Sequence, residues 1–258
     1  MGRIIAVANQ KGGVGKTTTA INLAACLGAA ERRTLLVDCD PQGNSTSGVG
    51  LEGDQCTPSI YEALIQAAPA VQVIRANVVD GVDVIPSNRD LAGAEVELVG
   101  LAEREQRLLR VLLQVVEPYE YILIDCPPSL GLLTINALTA AHAVLVPLQC
   151  EYYALEGIGR LLSVVQLVRQ KLNPALALEG VVLTMYDGRT LLSRRVEEDA
   201  RRYFGPTVYH TVIPRTIKLG EAPSHGQPII HYDIGNSGAD AYLRLTQELL
   251  TQHPRSTP

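Results

Sequence analysis

The chain of 258 residues has no tryptophan and a single phenylalanine, Phe204, so it lacks the aromatic platform on which single-stranded nucleic acids stack their bases. Its five cysteines, Cys26, Cys39, Cys56, Cys126 and Cys150, are scattered without C-x-x-C spacing. That argues against a metal centre or a disulfide framework and predicts small buried thiols. No apolar run approaches the roughly 18 residues that a membrane-spanning helix needs. Arg3 is followed only by a short apolar run that leads into a glycine-rich turn, unlike a secretory leader. Positive charge is in deficit, with 22 Lys and Arg against 27 Asp and Glu and a net charge of −5, which excludes a uniformly basic nucleic-acid binder and leaves room for a local basic patch. These absences predict a cytoplasmic protein whose 47% apolar residues build one large core.

What is present is an alternation of short apolar runs and helical patterns. Ile4–Asn9, Thr34–Asp38, Val82–Pro86, Tyr121–Asp125, Ala143–Pro147, Val181–Met185 and Val208–Ile213 are rich in Val, Ile and Leu, as strands covered on both faces should be. Between them, Leu155, Ile158, Leu161, Leu162, Val165, Val168 and Leu172 recur at steps of three and four, and Ala239–Leu250 repeats the pattern. The expected fold is a single-domain α/β architecture: a doubly wound, mostly parallel sheet flanked by helices over residues 1–252, with 253–258 as a frayed tail. Gly43–Gly53 is expected to be a polar loop. In such sheets ligands gather at the carboxyl ends of the strands, where three chemically loaded turns fall.

The first turn is Asn9-Gln10-Lys11-Gly12-Gly13-Val14-Gly15-Lys16-Thr17-Thr18, between an apolar strand and a helix. Gly12, Gly13, Val14, Gly15 and Thr18 frame a phosphate loop whose backbone N–H groups turn inward. Lys16 adds a point charge and Thr17 a hydroxyl for Mg²⁺. The usual loop has glycine five residues before Gly15; here that place is Gln10, followed by a second lysine, Lys11. Lys11 is poorly placed for its own phosphates and suited to the nucleotide of a facing subunit. The second turn, Asp38-Cys39-Asp40-Pro41, brings two carboxylates to the end of a buried strand, with Asp40 the better candidate to orient an attacking water, or else both acids cap a turn before Pro41. The third, Asp125-Cys126-Pro127-Pro128-Ser129, ends a strand in an acid that serves the Mg²⁺ shell through water.

Lys11–Thr18, Asp38-x-Asp40-Pro41-Gln42-Gly43-Asn44, Asp125–Gly131, Leu183–Asp187, Ile213-Pro214-Arg215 and Glu221–Ser224 together resemble the ParA/Soj chromosome- and plasmid-partition ATPases with a deviant phosphate loop. The resemblance spans most of the chain and implies a slow, partner-stimulated ATPase that uses ATP and Mg²⁺. It also implies a homodimer closed by ATP, in which Lys11 reaches across to the other subunit's nucleotide. The dimer binds double-stranded DNA without sequence preference, and a ParB-type centromere-binding protein triggers hydrolysis. By the same resemblance Lys16, Thr17 and Asp40 serve ATP, metal and hydrolytic water, and Met185 and Pro214 flank the adenine. The phosphate loop begins too near Met1 to leave space for an N-terminal helix-turn-helix domain, so operator reading is not expected.

Arg189, Arg194, Arg195, Arg201, Arg202, Arg215 and Lys218 concentrate charge in an otherwise acidic chain, as a phosphate-backbone binder on the nucleoid would require. Alternatively, Arg194, Arg195, Arg201 and Arg202 form the solvated face of a helix paired with Glu197, Glu198 and Asp199. Arg189 and Arg215, in loop-like segments without an acid at helical spacing, are the firmer candidates. A MinD-like membrane-cycling ATPase is the rival reading; it would need a basic amphipathic C-terminal helix, whereas Tyr242–Gln252 carries only Arg244. A nitrogenase-reductase type of redox protein would need cluster-ligating cysteines, for which only Cys126 and Cys150 are candidates.

Overall fold

A computed structural model describes residues 2–151 and 154–254, the side chains at 54 and 154–157 excepted. The apolar runs form β1 (Arg3–Val7), β2 (Thr34–Asp38), β3 (Arg75–Val79), β4 (Val82–Ile85), β5 (Tyr121–Asp125), β6 (Ala143–Gln149), β7 (Ala177–Tyr186) and β8 (Val208–Pro214). They lie in one sheet in the order β3-β4-β2-β5-β1-β6-β7-β8. All neighbours run parallel except β3 and β4. The helices used below are α1 (Lys16–Ala29), α2 (Asn44–Gly48), α3 (Leu132–Ala140), α4 (Ala154–Lys171), α5 (Leu191–Phe204) and α6 (Ser237–Gln252).

Side chains alternate across each strand, and both faces of the central strands are buried. Ile4 and Ala6 of β1, with Leu35, Val37, Ile122 and Ile124, pack into one core under α3 and α4. Ile5 and Val7, with Leu36 and Leu123, pack into the other under α1 and α6. Helix α6 rests on α1 and β8, and Tyr242 on it shares a buried hydrogen bond with Thr19, 3.2 Å between the hydroxyls. At the end of α6, His253 Nε2 lies 2.6 Å from the Glu179 carboxylate.

Two elements depart from the sequence reading. Strand β3 is not among the apolar runs because Arg75, Ala76 and Asn77 are not fully buried; it is an edge strand held on one side only, through the Asp80-Gly81 connection to β4. The segment read as a polar loop, Gly43–Gly53, contains the short helix α2. Its start is held from outside: Asp38 of β2 accepts hydrogen bonds from the backbone N–H and the hydroxyl of Thr46, at 2.8 and 2.7 Å. A carboxylate eight residues upstream thus acts as a helix cap, which no local pattern announces.

The β3–β4 turn docks on the end of α1 through two glycines. Gly81 has φ +73°, and a Cβ on Gly28 would stand 2.3 Å from the Asp80 carbonyl oxygen. Gly28→Ala is therefore expected to cost roughly 1–3 kcal/mol, because backbone rather than a flexible side chain blocks the methyl. Chemical denaturation measures it, and an unchanged midpoint would show that this docking is loose.

Candidate active site

The loop Asn9–Lys16 carries the chain from β1 into α1. Gly13 and Gly15 take φ +75° and +89°, where a side chain is strained, and a Cβ on Gly12 or Gly13 would meet nothing within 4 Å, so the hollow they border is open. The loop is held on both flanks. Asn9 donates to the Pro147 carbonyl at 2.8 Å and accepts from the Lys11 N–H at 3.1 Å. On the other side the Thr184 hydroxyl donates to the Val14 carbonyl at 2.8 Å. Lys16 is buried and donates to the Lys11 carbonyl at 3.2 Å. Burial lowers its ammonium below the ordinary lysine range, against the opposing pull of Asp125, Cys126 and Asp40. The Lys11 ammonium is paired with Glu151, just beyond β6.

Asp38 and Asp125 end adjacent strands in register. Both are fully buried. Asp125 accepts from the Ser45 hydroxyl at 2.6 Å through Oδ2, while its Oδ1 is buried with no partner. Burial, then the neighbouring Asp38 charge, pushes Asp125 up to about 7, partly offset by the Ser45 and Thr17 hydroxyls. Burial likewise pushes Asp38 up to about 6, with Thr46 and the Asp40 N–H opposing. Asp40 accepts from the Gln42 N–H at 2.9 Å through Oδ1. An orphaned carboxylate oxygen beside a buried lysine, a half-buried threonine and an open glycine hollow is a donor set suited to a hydrated divalent cation on a polyphosphate. Ser45 and Thr46 did not figure in the sequence reading, since a serine and a threonine in a polar stretch carry no signal of facing acids on two other strands.

Met185 and Pro214 line a cavity of about 230 Å³ that borders the loop at Gly15 and Thr18 and is floored by Tyr242. Met185 itself has φ +51°, an unusual backbone for a side chain of its size, at the point where β7 and β8 lose register. The basic residues fall into two groups. Arg189 forms a two-pronged pair with Asp187, at 2.9 and 2.8 Å, a spacing of two residues that a helical count overlooks. Lys218 pairs with Glu221, Arg201 with Glu197, and Arg202 with Asp199. Arg194, Arg195 and Arg215 are exposed and form no direct ion pair among the described residues, although Arg215 lies within electrostatic reach of Asp187. Cys126 is fully buried in the core beneath the sheet, where it cannot meet a second copy, and burial raises its thiol well above the ordinary range.

A glycine loop between a central parallel strand and its helix, with acids ending the adjacent strand β5 and the next strand β2, defines a P-loop nucleotide-binding protein. The family model of an AAA domain matches residues 2–178. The chain is 56% identical over 249 residues to the sporulation initiation inhibitor protein Soj of Bacillus subtilis, covering 96% of this chain and 98% of that protein. It is 53% identical over 258 residues to the chromosome partitioning protein ParA of Myxococcus xanthus, covering 100% and 91%. Among solved structures it is similar to one from Mycobacterium smegmatis named cobyrinic acid a,c-diamide synthase, which contains an ATP analogue and magnesium; identity is 40%, the TM-score 0.86, and coverage 100% and 99%. The chain belongs to the Soj/ParA family of chromosome-partitioning ATPases.

Both buried acids are held above the unfolded aspartate value of about 3.9. Each therefore favours the fold while protonated and loses that contribution as pH rises through about 6 for Asp38 and about 7 for Asp125. The ligand-free protein should melt at a lower temperature at pH 8 than at pH 5.5. Asp125→Asn should flatten that difference and raise the pH 8 midpoint by roughly 2–4 °C. Parallel melts of the two proteins across this range decide it, and an equal slope in both would mean that Asp125 does not set it.

Proposed function

We propose that ATP and Mg²⁺ close two copies of this chain into a sandwich dimer that holds double-stranded DNA without sequence preference. A ParB-type centromere-binding protein then stimulates hydrolysis and releases the dimer during chromosome or plasmid segregation, in the cytoplasm and on the nucleoid. The N–H groups of Gly12–Thr18 and the Lys16 ammonium hold the phosphates, Thr17 serves the metal directly, Asp40 and Asp125 serve it through water, and Met185 and Pro214 flank the adenine. Asp40 orients the attacking water. The observation that carries this reading is Lys11: its carbonyl braces Lys16 inside the loop, while its ammonium pairs outside it with Glu151. A lysine held at the rim of its own cradle is available to a nucleotide bound opposite, once that pair is exchanged for phosphate oxygens.

The rival membrane cycle finds little support. The one cation of Tyr242–Gln252, Arg244, is paired with Asp240, and Glu248 accepts the N–H groups of His210 and Thr211 at 2.7 and 3.0 Å, so α6 is tied to β8 on the face that would have to leave. Residues 255–258 of the expected tail lie outside the described residues.

Lys11→Ala should leave nucleotide binding within about threefold of the parent and abolish the ATP-dependent dimer. Asp40→Ala should bind nucleotide, slow hydrolysis by at least about a hundredfold, and accumulate as dimer. Sedimentation with ATP tests both, and a normal dimer from Lys11→Ala would remove the bridging role.

For DNA, Arg194, Arg195 and Arg215, which form no direct ion pair among the described residues, should contribute more than the paired Arg189 and Lys218, although exposed pairs are worth only about 0–1 kcal/mol and exchange readily for phosphate. Two such patches on one dimer would add by bivalency. Arg215→Glu and the double change Arg194→Glu, Arg195→Glu are expected to weaken retention of two unrelated duplexes equally, by about tenfold or more, with dimerisation unchanged. Gel shifts at two salt concentrations measure this; full retention by both variants would place the DNA elsewhere on the molecule.

A further inference from the structure

Asp40 has one carboxylate oxygen engaged with the Gln42 N–H, and its other oxygen makes no hydrogen bond among the described residues. Its backbone is held far more completely than its side chain. The Asp40 N–H donates to Asp38 Oδ1 at 3.1 Å. The Asp40 carbonyl accepts from the Gly43 N–H at 2.9 Å and from the Ser87 hydroxyl at 2.8 Å. Ser87 in turn donates its own N–H to the Thr46 hydroxyl at 2.9 Å, and that hydroxyl donates to Asp38 Oδ2 at 2.7 Å. The bonds close into a ring, Asp38 to Asp40 to Ser87 to Thr46 and back to Asp38. Every donor has one acceptor, and Asp38 is the only carboxylate in the ring.

The ring joins pieces that the chain keeps far apart. Asp38 ends β2, Thr46 lies in α2, and Ser87 stands two residues beyond β4, which is paired with β2 at Val37 and Ile85. Asp38, Thr46 and Ser87 are fully buried, while Asp40 keeps 6% of its surface and its carboxylate lies within electrostatic reach of Lys16. A buried hydroxyl that serves a backbone carbonyl in a closed network holds that backbone against small rotations, and its deletion leaves an acceptor half satisfied in a dry place. Ser87 makes no hydrogen bond to the glycine loop among the described residues and does not line the 230 Å³ cavity.

We propose that Ser87 is a positioning residue for hydrolysis: through the Asp40 carbonyl, its hydroxyl fixes the direction of the Asp40 carboxylate toward the attacking water. This rests on the reading of Asp40 as the water-orienting group. A change of angle at such a group alters the transition state and leaves ground-state nucleotide binding alone, so the signature is a fall in kcat at constant KM.

The test compares full-length Ser87→Ala with Thr46→Val, which is isosteric and breaks the same ring at another member, and with the double variant. Steady-state ATP hydrolysis is measured with DNA present, together with Kd for a non-hydrolysable ATP analogue and dimer formation by sedimentation. Ser87→Ala should lower kcat by about tenfold with KM, Kd and the dimer unchanged. Thr46→Val should do likewise, and the double variant should be no slower than the slower single one, because a ring is opened only once. Ser87→Cys, which keeps a weak donor at nearly the same volume, should recover part of the rate. Additive losses, a rise in KM, or loss of the dimer with the rate would overturn the proposal and leave Ser87 a structural residue. A wild-type kcat for Ser87→Ala while Asp40→Ala is inactive overturns it without touching the Asp40 reading. A wild-type rate for Asp40→Ala removes the Asp40 reading and this proposal together.

Discussion

Two fully buried carboxylates that end neighbouring strands are the constraint on which the rest of the site depends. Burying a charge costs several kcal/mol unless partners replace its solvation. Asp38 obtains that replacement from the Thr46 N–H and hydroxyl and the Asp40 N–H, and in doing so organises α2 and the Asp40 turn. Asp125 obtains less, with one oxygen on the Ser45 hydroxyl and the other without a formed hydrogen bond, the Thr17 hydroxyl being its nearest help. The protein thus keeps one acid satisfied, as a structural anchor, and one acid short of a partner, where the proposed hydrated cation would repay the cost. Lys16, itself pulled down by burial, completes this arrangement from the loop side.

The same logic of incomplete satisfaction operates at the rim. Lys11 is held by Glu151 in the single chain, and the glycine hollow below it is open. Exposed ion pairs of this kind are weak and exchangeable, which is the property that the proposed crossing of Lys11 to a second copy would require. The pairs at Arg189 and Lys218 have the same character. Exchangeable pairs beside the unpaired Arg194 and Arg195 would suit the proposed reading, in which an acidic protein meets DNA only in one state.

Much of this was legible in order of locality. The glycine loop, the two acidic turns and seven of the strands are local patterns, and the structure places the loop and both turns at the carboxyl ends of β1, β2 and β5. Strand β3 was missed because its half-buried Arg75 and exposed Ala76 and Asn77 break the apolar run, and α2 because its cap, Asp38, is a strand residue. The acid count around Arg189 was misleading, since Asp187 reaches it by a two-residue turn and not by helical spacing.

By itself the sequence determined the class of protein and the chemistry it carries: a phosphate loop requires particular residues at adjacent positions, and adjacency is what a sequence records. Only the tertiary structure decided which partners those residues have. Ser45 faces Asp125 across 80 positions, Ser87 reaches Asp40 across 47, and Thr184 braces Val14 across 170. Serine and threonine hydroxyls have no preference for any one carboxylate or carbonyl until the sheet order sets strands side by side. That order is decided by the burial of both faces of the whole sheet, a property of all the strands together and of no segment alone.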